Sequence, residues 1–323
     1  MRAMPRRCTL ALLTFALLGA GPALAQQTRI LVGFAAGGSA DLMARYLAER
    51  LREPLGRTVL VENRVGAAGR IALDALRSAA PDGTTLLLSS NGPFTLFPHI
   101  FRSLPYDPVR DFTSIARVAR QDLCLSTGPA TPSAAHADLG ALRAWIGANP
   151  ARASYGSPGN GSLPHFLGVL VGQRAKLDMV HVPYKGSALA ANDLLAGQLP
   201  LLFSPCTEVL QHHRAGKVRI VASSGAARSP LSTDVPTFVE QGLDVTIGAW
   251  FGLYGPAGMS PAAIESIAKA VLELTGSPAG RSALAAMGIE PDPGSADEMR
   301  AAQRRDFALL GEVAKASGFK PLD

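Results

Sequence analysis

Twice in this chain an apolar run gives way to a glycine-rich turn and then to a helical run. The first turn is Phe34-Ala-Ala-Gly-Gly-Ser-Ala-Asp41, after the strand candidate Arg29 to Phe34; the second is Tyr155-Gly-Ser-Pro-Gly-Asn-Gly-Ser162, after Ala153 to Tyr155. Glycine lets the backbone turn sharply and approach a ligand, and the helix start that follows carries partial positive charge from its aligned peptide dipoles. A strand and a helix joined this way bury their apolar faces in a layered sheet, and two such units far apart in the chain fit two α/β lobes.

The remaining pattern agrees. After the first turn Leu42, Met43, Tyr46, Leu47 and Leu51 recur at helical spacing, with Arg45, Glu49 and Arg52 on the other face. Thr58 to Val61 and Thr84 to Leu88 read as buried strands, with Gly66 to Ser78 as the crossover helix between them. The extended stretch Ile115 to Thr127 and the segment Gly128 to Pro132 read as a first crossing into a second lobe. There, strands near Ala153–Tyr155, Met179–Val182, Leu199–Phe203 and Val218–Ala222 alternate with helices near Leu163–Arg174, Ala188–Ala196 and Cys206–Ala215. Past Pro236 the chain runs through Val245 to Tyr254 into three helical segments, near Pro261–Thr275, Pro278–Met287 and Ala296–Ala316, expected to pack back on the first lobe. The expected division is a leader at 1–25, one lobe from 26–125 and 247–323, and the other from 126–246. Two crossings make a hinge, and small ligands bind in the cleft between such lobes.

The N-terminus predicts export. Arg2, Arg6 and Arg7 precede the apolar run Leu10 to Leu18, and Ala23-Leu24-Ala25 supplies small residues for cleavage before Gln26. The run is shorter than the roughly 20 residues a membrane span needs. Arg6-Arg7 leaves twin-arginine export open beside the general route. Cys8 precedes the apolar run, so it is not placed to carry a lipid. The formal charge of +6 includes those three leader arginines, and what remains is too small and scattered to suggest nucleic acid. Cys124 and Cys206 remain after cleavage; the periplasm permits a disulfide, but spacing does not say whether they meet. Without a Cys/His cluster at ligand spacing, neither a metal nor a cofactor is expected.

Together the two turns could hold an anion without an arginine, and two facing lobes would satisfy both ends of a dicarboxylate. Other candidates carry a bland reading beside the functional one. Asp41 lies in the first turn of its helix, where a carboxylate suits the dipole with or without a ligand. His165 could hydrogen-bond a carboxylate or serve as a structural donor. Tyr184 and Lys185 end a strand, where α/β sheets present side chains to ligands, with the backbone of Gly186 and Ser187 the favoured contact. Asn91 and Phe94 follow the third strand and could supply a hydrogen bond and a wall, while Trp250 and Phe251 line or underlie the cleft.

The stretches FAAGGSADLMARYLAERL, VENRVGAAG, APDGTTLLLSSNG, YGSPGNGSLPH, HVPYKGSALAANDLLAGQLPLLF, AARSPLSTDVPTFVEQGL and GPAGMSP fall in the order seen in tripartite tricarboxylate transporter receptors, also called Bug extracytoplasmic solute receptors. The similarity covers essentially the whole chain after the leader. It implies a type II periplasmic-binding-protein fold: two α/β lobes that close on ligand like a flytrap. It implies no catalysis, no cofactor, a small carboxylate as ligand (a citrate-like acid, another dicarboxylate, some amino acids or aromatic acids) and delivery to inner-membrane permease subunits. By position, the loop residues are Phe34, Gly37, Gly38, Ser39 and Asp41 on one side, with Ser157, Gly159, Asn160, Gly161 and Ser162 on the other. Two departures stand out. Ala35-Ala36 precede the glycines where the family commonly has proline, and Phe203-Ser204-Pro205 stands where it usually has Phe-Asp. Losing that carboxylate at Ser204, itself a candidate contact, leads to the expectation of an acid without an amino group.

Other functional classes fit less well. A secreted hydrolase built on Ser157 or Ser162 with His165 lacks the Gly-x-Ser-x-Gly elbow, and a transcription factor would need a helix-turn-helix where the export signal stands. A ligand-sensing receptor acting on a signalling partner would share the same binding chemistry. A periplasmic monomer is expected.

Overall fold

The computed structural model describes residues 27–316 and 319–323, and the expected leader lies outside them. In chain order the first part contains β1 (Thr28–Val32), α1 (Ser39–Arg50), α2 (Arg52–Leu55), β2 (Val59–Asn63), α3 (Arg70–Arg77), β3 (Thr85–Ser90), α4 (Gly92–Thr95), α5 (Phe97–Ile100) and β4 (Phe112–Gln121). The middle contains β5 (Leu123–Thr127), α6 (Leu139–Ala148), β6 (Ser154–Ser157), α7 (Leu163–Ala175), β7 (Val180–Pro183), α8 (Ser187–Leu195), β8 (Leu201–Pro205), α9 (Thr207–Arg214) and β9 (Arg219–Ser223). The last part is β10 (Ala249–Pro256), α10 (Pro261–Gly276), α11 (Pro278–Ala286), β11 (Glu290–Ser295) and α12 (Ala296–Ala316).

These strands form two sheets. The six-stranded sheet has the order β11-β4-β10-β3-β1-β2, and the five-stranded sheet the order β7-β6-β8-β5-β9. In the first, β1 lies parallel to β2 and β3, while β10 runs antiparallel to β3 and β4. In the second, β6 is parallel to β7 and β8, and β5 runs antiparallel to β8 and β9. The outward crossing is Asp122, between β4 in one sheet and β5 in the other. Leu123 to Thr127 therefore pair in the second sheet, so the change of sheet comes ahead of the division expected after residue 125. On return, Ile247 N still donates to Ser224 O of the second sheet, while Ala249 pairs with Gln121 of the first.

Burial explains the elements. Strand β3 is buried from Thr85 to Ser89 around the apolar run Leu86, Leu87 and Leu88, as a strand covered on both faces requires. Helix α1 buries Met43, Ala44, Leu47 and Leu51 under β1 and β3. Leu42, expected in that face, is 41 % exposed, because it lies three residues before Arg45 and so on the solvent side. The last helices pack back on the first sheet, with Ile267 and Val271 of α10 in one cluster with Ile115, Val118 and Leu253. A second cluster runs across the junction, joining Phe97 and Ile100 to Leu163 and Phe166. Helix α6, strand β11 and the short helices α2, α4 and α5 escaped the sequence reading, which placed Asn91 and Phe94 in a loop. Helix α6 is signalled by Asp138, whose side chain accepts from Ala141 N at 2.7 Å. Strand β11 contains Pro291 and Pro293, which lack the N–H a central strand needs; it occupies the sheet edge, with an irregular register between Pro291 and Gly294.

Candidate functional site

The first glycine turn is shaped by Asp41. Its buried carboxylate accepts from Gly37 N (3.0 Å), Asn63 Nδ2 (3.0 Å) and Arg45 Nε (2.8 Å), tying the turn to the end of β2. Burial alone would raise this carboxyl, but the bonds from Arg45, Gly37 and Asn63 outweigh it and hold the pKa below the ordinary value. Gly37 has φ +90°, which only glycine adopts freely. Beside the turn, a Cβ on Gly33 would lie 2.5 Å from Gly69 Cα, so the segment Ala67–Gly69 packs directly on the turn's start. Ala67 and Ala68 there have φ of 48° and 55°, a strained conformation for alanine next to the cleft.

The second turn starts α7. Ser162 caps it, accepting from His165 N at 3.3 Å, and Gly161, at φ +81°, donates its N–H to His165 Nδ1 at 2.9 Å. The His165 ring stacks on His181 with centroids 3.8 Å apart, and His181 Nε2 lies 2.7 Å from Ser157 Oγ. Burial lowers His165 to about 4; burial, with the neighbouring His165, lowers His181 to about 3. Both rings are therefore neutral at physiological pH. The Ser157 hydroxyl is fully buried and donates to Gly159 O at 3.1 Å, so the Ser157–His181 pair packs inside the second lobe.

Between the lobes lie two cavities. The first encloses about 640 Å³ of space open to solvent and is lined from the first lobe by Phe34, Gly38 and Ser39, and from the second by Ser162, Ser187 and Glu208. Phe97, Leu163 and Phe251 add apolar walls. The second, of about 600 Å³, is lined by Phe34, Arg70, Gly159, Asn160, Tyr184 and Lys185. Phe34, Ala68 and Pro158 line both and separate them. Three helix N-termini thus converge here, those of α1, α7 and α8.

The other sequence candidates stand behind this surface. Gly37, Asp41, Asn91, Ser157, Gly161, His165, Gly186 and Ser204 line neither cavity. Asn91 is fully buried; its Nδ2 donates to Asp306 Oδ2 at 3.1 Å, and Trp250 Nε1 donates to the same oxygen at 2.6 Å. Phe94 and Trp250 belong to the core, Phe94 stacking on Tyr254 at 3.9 Å. Gly186 packs against Ala35, where an added Cβ would lie 3.3 Å from its nitrogen. Tyr184 donates its hydroxyl to Asp193 Oδ2 at 2.7 Å and is pushed up to about 12, chiefly by burial. Ser204 is fully buried on β8 with its hydroxyl donating to Pro205 O and lines neither cavity; a carboxylate reaches the cleft from another segment.

That carboxylate comes from Glu208, which the sequence reading did not single out. Ser39 N donates to Glu208 Oε1 at 2.7 Å, linking the start of α1 in one lobe to the first turn of α9 in the other. Burial pushes the Glu208 carboxyl up, offset in part by bonds from the Ser39 N–H and hydroxyl. In sequence a glutamate at this position reads as a favourable first-turn charge on its own helix. Cys124 and Cys206, left open above, are joined in a disulfide that anchors the segment leading into Glu208. Among the described residues no group of three or more His, Cys, Asp or Glu is placed to hold a metal ion.

Two α/β lobes joined by two crossings, with helix starts from both facing one cleft, define a solute-binding protein of the periplasmic type. A family model described as "Tripartite tricarboxylate transporter family receptor" matches residues 43–318. Bordetella pertussis BugT is 33% identical over 298 residues, spanning 92% of this chain and 90% of BugT. The solved structure of the periplasmic binding protein BugD superposes with a TM-score of 0.86 at 28% identity, covering 92% of this chain and 99% of BugD. A structure of an R. palustris protein with adipate gives a TM-score of 0.86 at 30% identity, covering 92% and 98%. The chain belongs to the tripartite tricarboxylate transporter receptor family, a family of solute-binding receptors and not of enzymes.

Proposed function

We propose that this protein is exported to the periplasm, captures a small organic acid between its lobes and presents the closed complex to the permease subunits of a tripartite tricarboxylate transporter, acting as a monomer. The observation that carries this reading is the convergence of the α7 and α8 starts on a cavity with apolar walls, at Ser162, Leu163 and Ser187. Helix N-termini hold a carboxylate through backbone N–H groups and dipole, with no cation required. The adipate found with a relative of the same fold supports a small acid as the class of ligand. Among the sequence candidates, Phe34, Gly38, Ser39, Ser162 and Ser187 are assigned to the ligand surface, while Asp41, Gly161 and His165 shape the turns behind it. The family's description by its transporter supports a permease as the docking partner over a sensor.

A thermal-shift screen against mono-, di- and tricarboxylates, aromatic acids and amino acids tests the binding step, because a ligand that binds only the folded state raises the melting temperature. A dose-dependent rise with a small acid is expected. A flat response across all of these classes would overturn the reading. N-terminal sequencing of periplasmic protein is expected to begin at Gln26.

A further inference from the structure

The first cavity has a charge problem that the receptor reading alone does not resolve. Among the described residues its only ionisable lining residue is an acid, Glu208, with no Arg, Lys or His beside it in the lining. Its carboxylate receives the Ser39 N–H and hydroxyl, and with roughly four acceptor sites it can take further donors. It has no ion-pair partner among the described residues. Half-buried at the cavity wall, it is the charge that a cationic group of a ligand would meet there. Glu208 also occupies the start of α1, the position where one end of a diacid would otherwise be held. A second ligand carboxylate would find that helix start taken and a like charge beside it.

We propose that Glu208 makes this cleft a site for a zwitterion: an amino acid of apolar body, its carboxylate facing the starts of α7 and α8 and its ammonium facing Glu208. The ammonium offers three donors to a carboxylate that lines the cavity. The body lies among Phe34, Phe97, Leu163 and Phe251. The proposal rests on the receptor reading above and reverses the expectation of an acid without an amino group, which followed from Ser204 alone.

Isothermal titration calorimetry at neutral pH with two matched sets of ligands tests it: 6-aminohexanoate, hexanoate and adipate; and leucine, 4-methylpentanoate and isobutylmalonate. In at least one set the amino member is expected to bind the wild-type protein about tenfold or more tighter than the diacid. Glu208→Gln, which retains an acceptor for the Ser39 N–H, is expected to abolish that preference. Glu208→Asp, which retains the charge, is expected to keep it at reduced affinity, and circular-dichroism melts show that each variant is folded. A wild-type protein that prefers the diacid, or a folded Glu208→Gln that keeps the amino preference, overturns the proposal. If neither set binds while another acid of the broader screen does, this inference fails and the receptor reading stands. If no acid binds at all, both fall.

Discussion

Two stacked imidazoles, His165 and His181, are kept neutral by folding. Their folded pKa values, about 4 and about 3, lie below the ordinary 6.5, so the unfolded chain binds protons more readily than the folded one. The stability they contribute is therefore fully present above pH 6.5 and is lost as the pH falls toward the folded values. The groups facing them are Tyr155, Ser157, Gly161 and Phe319, none of which supplies a charge to compensate. Melting temperature should be level near neutral pH and decline below pH ~6. His181→Phe should flatten that decline between pH ~6 and ~4; a variant that declines as steeply as the wild type would contradict this account. Glu208, raised by burial, works in the opposite sense, costing stability as the pH rises through its ordinary 4.5.

At the level of elements, the disulfide is the firmest link inside the second lobe. It joins β5 to the residue ahead of α9, with Cα atoms 5.0 Å apart and a separation of 82 residues. A cross-link of this span restricts the unfolded chain, and its loss is expected to cost about 2–4 kcal/mol. Urea titration of the Cys124→Ser/Cys206→Ser variant against the oxidised wild type measures this, and coincident transitions would show that the link carries no stability. Because α9 starts at the next residue, the same link fixes where Glu208 meets α1.

For the whole molecule, the decisive geometry is the pair of crossings, at Asp122 and ahead of Ala249. The lobes touch at small residues: an added Cβ on Gly159 would lie 3.5 Å from Ala68, and one on Gly161 only 2.6 Å from the Phe101 ring. The C-terminal tail reinforces the junction, with Leu322 N donating to Ile100 O and Arg102 N to Leu322 O. Two crossings beside a cleft are the arrangement of a hinge that opens to admit a ligand. Small-angle scattering of the ligand-free protein should give a larger radius of gyration than the arrangement described here, shrinking when a bound acid is added; an unchanged radius would argue for a permanently closed cleft.

The alternation of apolar runs with glycine turns and amphipathic helices already specified two α/β lobes, because strand and helix periods are local properties that each segment carries in its own residues. Serine at the start of α7 and glycine at positive φ in each turn were legible for the same reason. The family resemblance extended that reading to a receptor. What local pattern does not contain is which residues from distant segments meet. Leu123 could not be assigned to one sheet or the other from an extended run that passes through both. Asp41, His165 and Asn91 have side chains as fit for a ligand as for the fold; their partners, Asn63, Gly161 and Asp306, turn them inward. Glu208 lies 169 residues from Ser39, and only the closure of two lobes brings an acid from one helix to the start of another, where burial changes its chemistry.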